Sequence, residues 1–457
     1  MNSQFLKKIA SLAISGLVAT SLLVGCGPDK PGTDPTSAPD PTSAGTQTEN
    51  TKKPEDFSGT VTFWHFNDDE ASVIKEAFEA VYKNVTVDLQ VTADTDGAYQ
   101  TLMTNTLRSG SGVPDVYALE AAFVKRFVNI PNALKDLSAA PFDAESLKDK
   151  LVSYTVDIGR SDDGKIRALS HQACPGAVGY KRDLAKEYLG TDDPTEISAM
   201  LSTPEKMLET ARKLKTESDG KVKMFAGMAD VLEIYLGARS KGWVVDGKLV
   251  IDPKIEDYVK IMKTMTDEGL HGNLPAWEPP WSAAIEDDEH FAYAIPTWGV
   301  PWIIRVNQAD ENQDKGSWGL AEGPYGYTWG GTWYGMYSDT ENEELAWELI
   351  KFITADDKHL EAWGRDTGDI VSNLSVIDKI AADSSFVDKT VNQNTYEFFK
   401  PLLASIDGSL ITEYDDVIKS AFQDAMMTYL AGNTTEDQMW AQFKDQVRSD
   451  LDELEVE

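Results

Sequence analysis

Cysteine is almost absent from this chain: Cys26 and Cys174 are its only two, so no disulfide framework can staple it. The five histidines, at 65, 171, 271, 290 and 359, are scattered. They form neither HExxH nor a short Cys/His spacing, which leaves a structural zinc site or a metalloprotease centre without support. GxSxG, GxxxxGK[ST] and GxGxxG are missing too, and with them the signatures of acyl transfer and nucleotide binding. No cofactor and no metal are expected. Basic residues are few: 42 Lys and Arg stand against 76 Asp and Glu, a formal charge of −34. Such a surface repels phosphate backbones, so nucleic acid is excluded as a partner and polyanionic substrates are disfavoured.

Aromatic residues, by contrast, are plentiful and clustered. The stretch from Phe291 to Tyr337 carries Trp298, Trp302, Trp318, Trp329 and Trp333 among glycines and prolines, with little of the 3.6-residue apolar period of a buried helix. An indole has a flat apolar face and one N–H, and a pyranose has a flat C–H face rimmed by hydroxyls. If stacking hides about half of an indole's ~150–250 Å², it is worth roughly 2–3 kcal/mol. Two or three such rings, less the ordering costs, reach the ~8 kcal/mol of a micromolar complex. These rings are therefore expected to line a sugar cleft; the competing reading is that they fill a core, where Trp is mostly found.

With 457 residues and 41% hydrophobic content, the chain is long enough for two or three domains. Residues 1–25 read as a secretory leader, with Lys7 and Lys8 ahead of an apolar run from Ile9 to Val24 that is short for a membrane span. Losing it would make the mature chain more negative still. The leader ends in Leu23-Val24-Gly25-Cys26, which resembles the lipobox of bacterial lipoproteins and implies lipidation of Cys26, giving an anchor at the extracellular face of the cell membrane. Residues 26–57 are rich in Pro, Thr, Ser and Gly, with DPTSA at 34–38 and 40–44. Such a segment cannot build a core and is expected to be a disordered tether.

The folded part opens with a strand at 60–65, a helix at 71–82 and a strand at 85–91, followed by a helix at 98–109 and a strand at 114–120. This alternation predicts a parallel α/β sheet. Ligands sit beyond the carboxyl ends of such strands, which points to His65, Asn67, Asp68 and Glu120. Strands at 166–169 and 176–180 flank a crossover carrying Ser170, His171 and Gln172. Helices are expected from Pro204, over 254–268 and 342–354, and over 417–430 and 434–451 in an α-rich C-terminus.

The ordered set VTFWHFN, PDVYALE, SHQACPGAVGYKRDL, STPEKMLETARKLK, AYAIPTWGVPW and GGTWYGMYSDTENEELAWELIKFITADD resembles the sugar-binding, maltose-binding-protein-like family of extracellular solute-binding proteins of bacterial ABC importers. The resemblance implies a two-lobed periplasmic-binding-protein-like α/β fold with hinge crossovers and extra C-terminal helices. One lobe would comprise 58–169 plus 330–376, and the other 170–329 plus 377–457. It also implies polar ligand contacts at Asn67, Asp68, Glu120 and His171 or Gln172, and stacking aromatics at Trp298, Trp333 and Tyr414. Trp64, His65, Trp302 and Trp329 complete the expected site. The segment LPAWEPPW, from Leu274 to Trp281, has no firm counterpart in the family, and its two tryptophans are read as packing in preference to extra sugar platforms.

The expected function is capture of a neutral oligosaccharide, a cellodextrin or other β-glucan fragment, by a monomer that delivers it to the permease subunits of an ABC importer. A secreted glycoside hydrolase or lyase would need two carboxylates about 5–10 Å apart across the scissile bond. The acidic run Glu286 to Glu289 reads as a solvated loop. A non-sugar solute on the same fold is the other alternative, and no catalytic residue is assigned.

Overall fold

The folded part begins with a strand, a capped helix and a second strand, and the computed structural model, which describes residues 52–457, carries that opening through. Cys26, the leader and most of the tether lie outside the described residues. Asn67 starts the first helix, Asp68–Val81, by accepting a hydrogen bond from the Glu70 N–H at 3.1 Å. Thr203 does the same for Pro204–Glu217, where Pro204 takes a first-turn position that needs no N–H donor. Thr435 and Gln438 form a capping box ahead of Glu436–Asp450.

Eleven strands occur among the described residues: β1 Gly59–His65, β2 Val85–Val91, β3 Val116–Glu120, β4 Ala168–Ser170, β5 Gly176–Lys181, β6 Lys223–Phe225, β7 Val244–Val245, β8 Lys248–Leu249, β9 His290–Pro296, β10 Trp318–Ala321 and β11 Thr332–Met336. One sheet has the order β2-β1-β3-β11-β4, another β10-β5-β9-β6, and β7 pairs with β8 alone. The two large sheets belong to the two lobes. The alternation predicted a parallel sheet, and β1 does run parallel to β2 and β3. However, β11 pairs antiparallel with both β3 and β4. It returns from the other lobe and enters at the end where β3 finishes, with Thr332 opposite Glu120.

Each sheet has its own apolar core. Val61, Phe63 and Ile350 belong to that of the first lobe, and Leu214, Tyr258 and Phe422 to that of the second. A third cluster joins Tyr117 and Trp333 of the first sheet to Tyr293, Ile295 and Leu320 of the second. Burial of each such side chain stabilises by about 1.5–3 kcal/mol. Among the described residues no helix is long and apolar enough to cross a membrane.

The chain passes between the sheets at 171–175, 322–331 and 368–373, and these segments hydrogen-bond to one another. Ser372 N–H donates to the His171 carbonyl at 2.7 Å, Ala173 N–H to Ile370 at 2.9 Å, and Gly176 N–H to Tyr327 at 2.8 Å. Gly176 permits a close approach: a Cβ there would lie 2.0 Å from the Tyr327 ring. Side chains tie the joint further. Asp369, wholly buried, accepts from Thr297 Oγ1 at 2.7 Å and from Gln172 Nε2.

Candidate ligand-binding cleft

Between the sheets lies a cavity of about 200 Å³. Its first-lobe wall includes Glu120, Ala121, Ala122 and Ile158; its second-lobe wall includes Glu233, Leu236, Gly237, Arg239 and Trp243; and Trp329 and Gly330 cross its edge. Asp415, Asp416 and Lys419 complete it from the first turns of the helix Asp415–Leu430.

Glu120 arrives there because it ends β3 and caps the helix Ala121–Asn129, with Oε2 accepting from the Ala122 N–H at 2.6 Å. Gly331, with φ at 119°, turns the chain over it so that its carbonyl accepts from the Ala121 N–H at 3.0 Å. Burial pushes the Glu120 carboxyl up to about 7; the cap bond opposes this, Asp416 adds to it and Lys419 counters it.

Both cations of the cavity are engaged. Arg239 pairs with Asp415 at 3.3 Å and lies 5.3 Å above the Trp243 ring, and Lys419 pairs with Glu233. Glu120, Asp407 and Asp416 add three more acids to the lining, with Lys419 acting on both Glu120 and Asp416. The cavity therefore offers acceptors for hydroxyls and disfavours anions.

An aromatic shelf adjoins it. Trp329 lies 5.6 Å from Trp298 and 5.6 Å from Trp277, and Trp277 is stacked on Trp298 with a 16° interplanar angle and 6.0 Å between centroids. The Trp298 indole is oriented by its Nε1, which donates to the Trp329 carbonyl at 2.8 Å. Trp298 and Trp329 are half-buried, whereas Trp277 is 58% exposed. The third ring was expected to pack, with a sugar platform as the alternative; its flanking prolines, in Pro275-Ala-Trp-Glu-Pro-Pro, were the signal that could have placed it at the surface. Its neighbour Trp281 is packing, 1% exposed and edge-on to Tyr293.

The structure brings Glu120, Trp298 and Trp329 together and leaves other expected residues elsewhere. Trp333 requires correction: it is 1% exposed, with Nε1 donating to the Thr155 carbonyl at 2.8 Å, because helix Ser153–Ile158 covers that face of β11. His65 at the end of β1, and His171 and Gln172 in the first crossing segment, are corrected likewise, since all three are buried. His65 Nδ1 accepts from the Asn67 N–H at 2.9 Å, and neither ring nitrogen of His171 has a hydrogen-bond partner. Burial raises the Glu70 carboxyl, but His171 and His65, with hydrogen bonds from His65 and Tyr334, outweigh it and hold the group at about 2. Burial in turn lowers His171 to about 4.

Asn67 and Asp68 are exposed at the start of their helix and do not line the cavity. Trp64 and Trp302 are half-buried against the central core, outside its walls. Tyr414 is half-buried just ahead of the helix that supplies Asp415 and Asp416. Among the described residues no group of three His, Cys, Asp or Glu is placed to hold a metal ion.

The fold is shared by solved structures. A structure titled extracellular solute-binding protein family 1 matches with a TM-score of 0.74 at 19% identity, covering 85% of this chain and 99% of that one. The galacto-N-biose-/lacto-N-biose I-binding protein of the ABC transporter of Bifidobacterium longum, in complex with lacto-N-biose, matches at 0.69 and 14%, covering 88% and 99%. Maltose-bound MalE3 of T. maritima matches at 0.63 and 19%, covering 85% and 98%. The family model for the bacterial extracellular solute-binding protein matches residues 74–391, most of the chain. With this match and that architecture, the chain belongs to the bacterial extracellular solute-binding proteins.

Proposed function

We propose that this protein captures a neutral oligosaccharide between its lobes and delivers it to the membrane subunits of an ABC importer. Within that class, a cellodextrin or other β-glucan fragment is the ligand we favour. The observation that carries the reading is the pairing of a carboxylate-walled cavity with the touching indoles of Trp298 and Trp329 at its edge. Carboxylates accept hydroxyl hydrogen bonds, and indole faces cover the C–H surface of a sugar ring. The lacto-N-biose and maltose held by the two neighbours named above support a sugar ligand.

The proposed lobes are 58–169 with 330–376 and 170–329 with 377–457, turning about the three crossing segments. Ligand held by the shelf and by Glu120 touches both walls only when the lobes are closed, and this differential affinity shifts the equilibrium toward closure. The lipid on Cys26 and the tether would keep the monomer beside its permease.

Calorimetric titration against glucose, cellobiose through cellopentaose, laminaribiose, maltotriose and xylotriose tests the reading. At least one oligosaccharide is expected to bind with a dissociation constant of about 1 μM. Absence of heat and of tryptophan emission change with every sugar overturns it.

A further inference from the structure

Trp277 is held in a conformation that works against it. Its φ of 71° lies in the left-handed region, where the Cβ of a bulky residue is crowded by its own backbone. Its indole is nonetheless 58% exposed. Strain that persists at an exposed aromatic is maintained by surroundings that over-determine it. Leu274 N–H donates to the Ala226 carbonyl at 3.0 Å, fixing the start of the loop. Gly227 has no room for a Cβ, which would lie 2.1 Å from the Leu274 carbonyl oxygen. Pro279 opens the short helix Pro279–Ala283, and Trp281 on that helix anchors in the core. Two tryptophans only four positions apart have opposite fates. Trp281 turns inward, and Trp277, 5.3 Å from it and stacked on Trp298, stays largely exposed.

We propose that the exposed surface of Trp277 is an outer subsite that takes the third and later rings of an oligosaccharide whose leading ring occupies the cavity. The inference rests on the sugar reading above and adds a dependence on chain length to it. The order of the rings supports it: Trp329 belongs to the cavity edge and touches both other indoles, and Trp277 is the most exposed of the three. A disaccharide seated from the cavity ends on Trp329 and Trp298; a longer chain continues onto Trp277.

The test uses the whole mature chain and titrates sugars of two to five units, in the linkage wild type binds best, into wild type, Trp277→Ala and Trp277→Gly. The glycine variant removes the ring and the backbone strain together, so agreement between the two variants assigns the effect to the ring. Affinity for the disaccharide is expected to change by less than about twofold, and that for the tetramer and pentamer to fall about tenfold or more, as loss of one stacking face implies. An equal loss at every length would mean that Trp277 only props Trp298, and no loss at any length would mean that its face meets no sugar. Either result overturns the outer subsite while leaving the sugar reading intact. A wild-type chain that binds none of the sugars overturns both.

Discussion

Replacing Glu120 by Gln removes one charge from the cavity wall while keeping an oxygen that can accept the Ala122 N–H bond. The wild-type carboxyl sits at about 7 in the fold against 4.5 for the free group. Because the folded-state value is the higher one, the folded protein binds the proton more tightly. The associated stability is intact below about pH 4.5 and is lost as the pH rises through 7. A shift of that size corresponds to an upper bound of roughly 3 kcal/mol. Glu120 is only half-buried and Lys419 stands nearby, so solvent screening reduces the realised effect to about 1 kcal/mol. Spread over a folded unit of this size, that is about 1–2 °C in thermal midpoint. The assay is thermal unfolding of wild type and Glu120→Gln at half-unit steps from pH 4.5 to 8.5. The variant should gain on wild type steadily across the window and finish the more stable at high pH. A difference that stays constant with pH, or that moves the other way, refutes the account of a carboxylate strained by burial.

Three further outcomes follow from the same geometry. Trp298→Ala should weaken binding of the best sugar by about 10- to 50-fold, the worth of one stacked indole face; calorimetry within twofold of wild type would remove this ring from the site. His171, His271 and His359 are each lowered to about 4, chiefly by burial. Their contribution is intact above pH 6.5 and lost as the pH falls through 4, so His171→Phe should flatten the acid limb of the unfolding profile relative to wild type. Asp369→Ala leaves the Thr297 hydroxyl and the Gln172 amide without their buried acceptor, a loss of about 2–4 kcal/mol by chemical denaturation; a loss under about 0.5 kcal/mol would show that this network does not hold the joint.

Much of the fold was legible because its signals are local. Asn67 before an acidic first turn, Thr203 before Pro204 and the alternation in Val85–Val91 each act within a few residues. The antiparallel return of β11 was not legible, since its direction is decided by the crossing segments and not by its own residues. The site divides in the same way. Glu120 could be reached from the sequence because strand ends carry ligand contacts in α/β sheets. Arg239 and Asp415, 176 positions apart, could not. Nor could sequence alone separate Trp277 from Trp281 or Trp329 from Trp333, because pairs so close in the chain are sorted by whichever element happens to cover them. For Trp333 that element is the helix Ser153–Ile158, with Thr155 accepting the indole N–H.

The hydrogen bond from Trp298 to the carbonyl of Trp329 has a consequence for observing the molecule at work. Trp298 follows β9 and Trp329 lies in the segment that leads to β11, and both fall within the second of the proposed lobes. Their indoles are held edge to face 5.6 Å apart at the cavity edge, so a sugar seated there would change the surroundings of both. The protein thus carries a built-in optical gauge of ligand at this edge, readable without a label.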